Sequence, residues 1–259
     1  MPNGVFIMKI GLLNKAQLSI INKNSFRYPL AIAEKDYLLL IVLKIIYSSL
    51  LKDTLIFKGG TALHHLYLDQ LRFSEDLDFG TLNSISIKEL QEVLLKYTFL
   101  EIKKISYSPF SLKIDRLKFI GPLGQANSLK IDIDLTQELV LPAQQLNYHN
   151  IYNIDLKVLG MDLSEICAEK IRAINERARY RDFYDLAMAF RNSSLELSYV
   201  INILKKKGLR KPLKRQFILE NLNIAQEAKN KGLENLYYRE EITRDEIDQM
   251  LYRLLPLLD

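Results

Sequence analysis

The feature that most constrains the fold is a glycine turn followed closely by two carboxylates with one residue between them. Residues 54–57 form a short apolar run that predicts a strand, and Gly59-Gly60-Thr61 follows it. Apolar residues recur at helical spacing over 61–68, which predicts a helix after the turn. Residues 74–79 alternate between polar and apolar, so Asp76 and Asp78 share one face of a predicted strand. This order of elements favours an α/β core.

The remaining pattern divides into a mixed half and a helical half. Residues 34–51 are apolar nearly all round, which predicts a buried helix, and Ser86 with Glu89 forms a capping box that begins another. Further strands are predicted at 101–107, 112–120 and 129–136. From Asp162 onward the pattern is helical. We therefore predict an α/β (α+β) fold, with a mixed-sheet core and flanking helices at 1–160. An all-helical C-terminal domain at 161–259 follows, with a soft boundary and the two parts packed together.

A second strand repeats the carboxylate pattern. Lys130, Asp132 and Asp134 share one face of the predicted strand at 129–136. If this strand lies beside the first, three carboxylates converge, as a site for one or two Mg²⁺ ions requires. Each Asp-x-Asp taken alone also fits an ordinary solvated strand face. The glycine turn favours the functional interpretation, because backbone N–H groups at a helix N-terminus can hold a phosphate.

Two blocks of the chain resemble the AbiEii/AbiGii toxin family of nucleotidyltransferases, which share a polymerase-beta-like core. Residues 57–63 (Phe-Lys-Gly-Gly-Thr-Ala-Leu) and 72–79 (Arg-Phe-Ser-Glu-Asp-Leu-Asp-Phe) are similar to the first motif of that family. Residues 165–173, Arg177 and residues 181–186 (Arg-Asp-Phe-Tyr-Asp-Leu) are similar to its downstream motifs. The resemblance covers roughly residues 55 to 190.

The resemblance implies a site for Mg²⁺ and a nucleoside triphosphate (NTP). Asp76 and Asp78 would hold the metal, with Asp132 as the third carboxylate and Asp134 as the alternative. Asp132 is favoured because a lysine precedes its strand at the spacing that is usual in the family. Lys170 would contact the triphosphate and count among the catalytic residues. The full nucleotide-binding set would be Gly59, Gly60, Thr61, Ser74, Lys170, Arg177, Asp182 and Asp185.

The residues of the second block also allow structural interpretations. Lys170, Arg177 and Arg181 lie on one edge of a predicted helix, where they suit a triphosphate or form a basic solvated surface. Asp182 and Asp185 either complete the site or pair with the neighbouring arginines.

Three other features of the sequence have less specific interpretations. His64 and His65 follow the glycine turn, and we expect a surface or packing role for both. Cys167 falls on an apolar stripe, as a buried hydrophobe would. The run 205–215 is the densest in cations, being Lys205, Lys206, Lys207, Arg210, Lys211, Lys214 and Arg215. It is either solvated surface or a contact for RNA phosphates.

The resemblance implies that the chain is the toxin of a toxin–antitoxin or phage-defence pair. It would transfer a nucleoside monophosphate to an acceptor, and a net charge of +5 with a pI near 9.0 favours RNA, such as tRNA. The alternatives are a protein or small-molecule hydroxyl as acceptor, or a catalytically silent binding module. A cognate antitoxin would be a partner. A single cysteine and the lack of a spanning segment predict a cytoplasmic protein without a membrane partner.

Overall fold

The computed structural model describes residues 10–136, 138–208, 211–234 and 237–258. The helices in that part of the chain are α1 (Lys15–Lys23), α2 (Leu30–Tyr47), α3 (Gly59–Leu66), α4 (Ile87–Leu94), α5 (Leu163–Glu176), α6 (Tyr180–Asn192), α7 (Leu197–Lys207), α8 (Arg215–Asn230) and α9 (Arg244–Leu254). The strands are β1 (Leu55–Lys58), β2 (Asp76–Thr81), β3 (Leu100–Tyr107), β4 (Ser111–Ile120), β5 (Ala126–Asp134), β6 (Gln144–Asn147) and β7 (Lys157–Gly160).

The strands form one mixed sheet in the order β3-β4-β5-β2-β1-β7-β6. Strand β2 pairs in parallel with β5 and antiparallel with β1, and β1 pairs in parallel with β7. Strand β4 pairs antiparallel with both of its neighbours, β3 and β5. The mixed sheet with flanking helices confirms the predicted fold class.

Helix α2 supplies much of the core that supports the sheet. It lies against β5 and β7, and its central leucines, Leu38 to Leu40, have no exposed surface. The helix begins four residues earlier than predicted because Pro29 ends the preceding loop and the apolar pattern already starts at Leu30. It ends at Tyr47, and Ser49 caps a short 3-10 helix, Leu50–Asp53, that replaces the predicted last turn.

The chain forms two units. The described residues of the first lie within Met1–Thr61, Ser74–Thr136 and Gln145–Gly160. Those of the second lie within Ala62–Phe73, Gln137–Gln144 and Met161–Asp259. Two short segments before residue 160 therefore belong to the second unit, while the division into domains at 1–160 and 161–259 stays a prediction.

Local sequence signals begin several helices where expected. The side chain of Ser86 accepts a hydrogen bond from the Glu89 amide, and the Glu89 side chain accepts one from the Ser86 amide, which confirms the capping box of α4. Asp162 caps α5 through the Ser164 amide. Strands β6 and β7 were not predicted. No helix of the described residues is long and apolar enough to cross a membrane.

Candidate active site

Three carboxylates of the first unit lie on one face of two neighbouring strands. Asp76 and Asp78 point to the same side of β2 because alternate residues of a strand share a face. In β5, Asp132 lies directly beside Asp78 and Lys130 lies beside Asp76. All three carboxylates are partly exposed, whereas the apolar residues between them are buried. The parallel register confirms that the two predicted strands are neighbours.

The glycine turn lies immediately beside the Asp78 side chain. Gly59 adopts a φ of +78°, a conformation that L residues with a side chain rarely adopt. A Cβ atom added to residue 59 would collide with the Asp78 side chain. It would lie 2.9 Å from Asp78 Cβ and 3.0 Å from Asp78 Cγ. The absence of a side chain at residue 59 therefore lets the carboxylate occupy that space.

We expect Gly59→Ala to destabilise the protein by about 1–3 kcal/mol, because it combines a strained φ with displacement of Asp78. The matched control is Gly80→Ala in β2, where an added Cβ meets no atom within 4 Å. Urea unfolding followed by circular dichroism measures both changes. Equal unfolding midpoints for the two variants would contradict the role assigned to Gly59.

The start of α3 is joined to the start of β2 by side-chain hydrogen bonds. The Thr61 hydroxyl donates to the Asp76 carbonyl oxygen at 2.5 Å and lies 3.0 Å from the Ser74 hydroxyl. These contacts hold the first turn of α3, with its backbone N–H groups, against the strand that carries the two aspartates. The predicted phosphate-binding residues Gly59, Gly60, Thr61 and Ser74 are thus adjacent to Asp76 and Asp78.

Asp132 and Asp134 have different surroundings. Asp132 faces Lys113 of β4, whose ammonium group donates a hydrogen bond to its carboxylate. Asp134 is the last residue of β5, with its carboxylate 3.6 Å from the Lys58 ammonium and within hydrogen-bonding distance of the Thr136 amide. Only Asp132 lies directly beside Asp78, so the register favours it as the third carboxylate.

The donor set of this face is chemically suited to Mg²⁺. Mg²⁺ prefers oxygen ligands and is usually held by one or two carboxylates together with waters and substrate phosphates. Within the described residues, no group of three or more carboxylate, imidazole or thiol side chains is placed to hold an ion by itself. Asp76 and Asp78 therefore fit the kind of magnesium site that a substrate completes.

The second unit contains a buried ion network around Lys170, Asp182 and Asp185. The Lys170 ammonium lies 2.9 Å from an Asp182 oxygen and 2.6 Å from an Asp185 oxygen. Asp182 also accepts hydrogen bonds from Arg177 at 2.7 and 3.2 Å. Both carboxylates are completely buried, whereas 47% of the Arg177 side chain is exposed. The predicted residues of the second block therefore contact one another.

Asp185 is the centre of this network. Arg72 donates to both of its oxygens, at 2.6 and 2.7 Å, in a bidentate pair. His64 Nε2 lies 2.9 Å from one of these oxygens. The role of Arg72 and His64 was not predicted, because they lie more than 110 residues before Asp185 and only the tertiary fold brings them together. His64 and His65 are both buried, which confirms a packing role over a surface role.

The network keeps its lysine and aspartates charged. Burial alone would raise the pKa of Asp182, but the charges of Lys170 and Arg177 outweigh it and lower the pKa to about 2. Burial is likewise outweighed at Asp185 by Arg72 and Lys170, so its pKa is well below the usual range. Burial would lower the pKa of Lys170, but the two aspartates raise it. The carboxylates therefore stay ionised at neutral pH.

His64 is held neutral within the network. Burial and the charge of Arg72 lower its pKa from 6.5 to about 4, although the hydrogen bond to Asp185 acts in the opposite direction. No hydrogen-bond partner for its Nδ1 is found among the described residues. This geometry fits the neutral tautomer in which Nε2–H donates to Asp185.

We expect the free energy of unfolding to fall by up to about 3 kcal/mol as the pH is lowered from 6.5 to 4. The sign follows because the pKa of His64 is lower in the folded state, so the unfolded chain binds more protons in this range. Chemical denaturation at several pH values measures the slope. His64→Gln should remove this component and His149→Gln, at an exposed histidine, should retain it. An unchanged slope in His64→Gln would contradict the assignment.

The basic run 205–215 is only partly a surface feature. Lys205, Lys206, Lys211, Lys214 and Arg215 are exposed, and Arg210 lies outside the described residues. The predicted surface position is wrong for Lys207, because its side chain is only 1% exposed. Its ammonium group pairs with Glu165 and, at 3.1 Å, with Glu169. Glu165 also accepts hydrogen bonds from the backbone amides of Val140 and Leu141, so Lys207 belongs to the packing of the second unit.

Comparison with known proteins identifies the family. Residues 41–254 match the family described as nucleotidyl transferase AbiEii toxin, type IV toxin–antitoxin system. No curated protein matches the chain. Among solved structures, MenT4, a nucleotidyltransferase toxin from Mycobacterium tuberculosis H37Rv, is similar with a TM-score of 0.58 and 17% identity, covering 93% of this chain and 99% of that chain.

Two further structures match with lower scores. JHP933 from Helicobacter pylori has a TM-score of 0.49 and 16% identity, covering 80% of this chain and 96% of that chain. An antigenic nucleotidyltransferase-like protein from Paracoccidioides brasiliensis has a TM-score of 0.42 and 17% identity, covering 77% of this chain and 91% of that chain. The family match spans most of the chain. The chain therefore belongs to the AbiEii family of nucleotidyltransferase toxins of type IV toxin–antitoxin systems, and it is a nucleotidyltransferase.

Proposed function

We propose that the chain transfers a nucleoside monophosphate from an NTP to a hydroxyl group of RNA, with tRNA as the first candidate. The observation that carries the proposal is the arrangement of Asp76, Asp78 and Asp132 on one partly exposed sheet face beside the glycine turn. A silent binding module would be expected to have Asp132 and Asp134 turned away from Asp78. The register supports an active site instead.

The proposed reaction is an attack of the acceptor oxygen on the α-phosphorus of the NTP. A bond forms between this oxygen and the α-phosphorus, and the bond from the α-phosphorus to the oxygen that bridges to the β-phosphate breaks, releasing pyrophosphate. The acceptor proton passes to Asp132. Asp76 and Asp78 would hold Mg²⁺, with Asp132 available for a second ion, and the metal would neutralise charge on the phosphates. The backbone amides at Gly59 to Thr61 would orient the triphosphate.

Lys170, Arg177, Asp182 and Asp185 have a narrower part in this proposal. Lys170 and Arg177 would supply positive charge to the triphosphate. Asp182 and Asp185 would act as positioning residues, because each is buried and holds a cation through an ion pair. This division of roles is a proposal that rests on the family motifs and on the ion pairs of the second unit. The protein would act in the cytoplasm, with an antitoxin as its genetic partner.

The test is to incubate purified protein with Mg²⁺, total bacterial RNA and each α-³²P-labelled NTP in turn. We expect label in an RNA band with wild-type protein and none with Asp76→Ala/Asp78→Ala protein. If wild-type protein binds the NTP but labels no RNA, the acceptor is a protein or small-molecule hydroxyl and the RNA proposal fails. If wild-type protein neither binds nor transfers any nucleotide, the site assignment fails as well.

A further inference from the structure

A line of cations crosses the sheet beside the carboxylates. Lys130 of β5 lies beside Asp76 of β2. On the other side of β5, the register with β4 is interrupted between Ile114 and Leu117, so Lys130 faces the bulge that contains Arg116. Arg116 in turn pairs with Lys104 of β3. We name Lys130, Arg116 and Lys104 the cation row.

The cation row lies on the same face of the sheet as the carboxylates. Cross-strand partners share a face, so Lys130 points to the side of Asp76. Arg116 precedes Leu117 in β4, and Leu117 pairs with the buried Leu129 on the core face. Lys104 precedes Ile105 in β3, and Ile105 pairs with the buried Ile114 on the same face. Since successive residues of a strand point to opposite faces, Arg116 and Lys104 lie on the solvated face. All three cations are exposed. One surface of the first unit therefore carries both the carboxylates and the row.

The three cations make no direct ion pair within the described part of the chain, although Asp76 and Asp115 lie close to the row. Their side chains form no hydrogen bond there either. Glu101 pairs with Lys103 and Lys118. Asp115 lies beside Arg116 in the bulge and accepts a hydrogen bond from the neutral Ser106 hydroxyl, so it keeps its negative charge. Like charges on neighbouring strands destabilise a sheet by up to about 1 kcal/mol per pair. An anionic ligand would remove this cost.

The size and position of the row indicate which anion fits. Neighbouring strands are about 4.8 Å apart, so three strand intervals extend about 14 Å from Asp76 to Lys104. The row ends at β3, which is an edge strand of the sheet. Successive cations at this spacing, which lead from the carboxylates to an open edge, suit the phosphates of a chain that continues beyond the protein. A single triphosphate would leave the outer end of the row unused.

We propose that Lys130, Arg116 and Lys104 bind successive phosphates of a single-stranded end of the acceptor RNA and guide that end to the carboxylates. The inference rests on the proposed function and deepens it by assigning the acceptor-binding surface. The inference favours this surface over the basic run 205–215, which belongs to the second unit. In that run Lys207 is already paired with Glu165 and Glu169.

The test measures binding of a fluorescein-labelled oligouridine of 12 nucleotides by fluorescence anisotropy at several salt concentrations. The test variant is Lys104→Gln/Arg116→Gln/Lys130→Gln in the full chain. The matched control is Lys205→Gln/Lys206→Gln/Lys211→Gln, which removes the same charge from exposed residues of the basic run. We expect the test variant to bind at least tenfold more weakly at 50 mM salt and its salt slope to fall by about 2, since each phosphate contact contributes about 0.7. The control should bind within twofold of wild type.

Further measurements separate failure of the row from failure of the proposed function. Binding of labelled NTP and the circular dichroism spectrum should be unchanged in the test variant, since its three residues are exposed. Asp76→Ala/Asp78→Ala protein should bind the oligonucleotide like wild type while transferring no nucleotide. Wild-type affinity and salt slope in the test variant would overturn the row while leaving nucleotidyl transfer intact. If only the control variant loses oligonucleotide binding, RNA binds the basic run. If the test variant loses NTP binding but keeps oligonucleotide binding, the row is a nucleotide site. Either result overturns the proposal.

Discussion

Asp78→Asn should lower the rate of nucleotidyl transfer by about 10³-fold or more, while the protein stays folded. The substitution keeps the size of the side chain but removes the negative charge that lies closest to both the glycine turn and Asp132. Transfer of α-³²P label under single-turnover conditions measures the loss. Asp76→Asn should have an effect of similar size, because the two side chains share one face of β2.

Two more variants show whether the effect is specific to this site. Asp115→Asn removes a charge from the same sheet at a residue whose carboxylate accepts a hydrogen bond from Ser106, and its rate should stay within about twofold of wild type. Asp132→Asn and Asp134→Asn distinguish the two candidates for the third carboxylate. We expect a loss of about 10²-fold for Asp132 and less than tenfold for Asp134. The reverse order would assign the role to Asp134, and full activity of Asp78→Asn would refute the site.

Asp185→Ala should destabilise the protein by about 3–5 kcal/mol. The change leaves Arg72 and Lys170 buried without the carboxylate that both contact, and it removes the acceptor of the His64 hydrogen bond. Urea unfolding without nucleotide, followed by circular dichroism, measures the effect on the fold apart from any effect on substrate binding.

The control for this prediction is a carboxylate in an exposed ion pair. Asp248 pairs with Arg244 one helical turn away on α9, and both side chains are at least 40% exposed. Asp248→Ala should cost less than about 1 kcal/mol, because water screens the pair. A similar cost for the two substitutions would show that burial does not set the strength of the network around Asp185.

The parts of the site that lie close together in sequence were predictable. The two-residue period of strands places Asp76 with Asp78 and Asp132 with Asp134, and the Gly-Gly-Thr turn indicates a strand followed by a helix. The sequence did not indicate that β5 pairs in parallel with β2, and this register is what distinguishes Asp132 from Asp134. Register depends on packing between segments that are distant in sequence.

The contacts of the second unit were beyond local reasoning for the same reason. Arg177 and Asp182 belong to adjacent motifs, and their pairing was among the structural alternatives. Arg72 and His64 join them from a segment that local patterns assign to the first half of the chain. Lys207 was misassigned because a run of lysines gives no sign of which one turns inward to meet Glu165 and Glu169.

The bidentate pair between Arg72 and Asp185 also has a consequence for biosynthesis. The two residues are 113 positions apart, and a ribosome adds roughly 5–20 residues per second, so Arg72 is made roughly 6–23 seconds before its carboxylate. The second unit cannot complete its charged interior during that interval. A nascent chain halted before residue 185 would contain Arg72 and Lys170 without the carboxylate that both contact. A fragment beginning at residue 161 would contain Asp185 without Arg72. A stable isolated second unit would therefore have to include the segment 62–73.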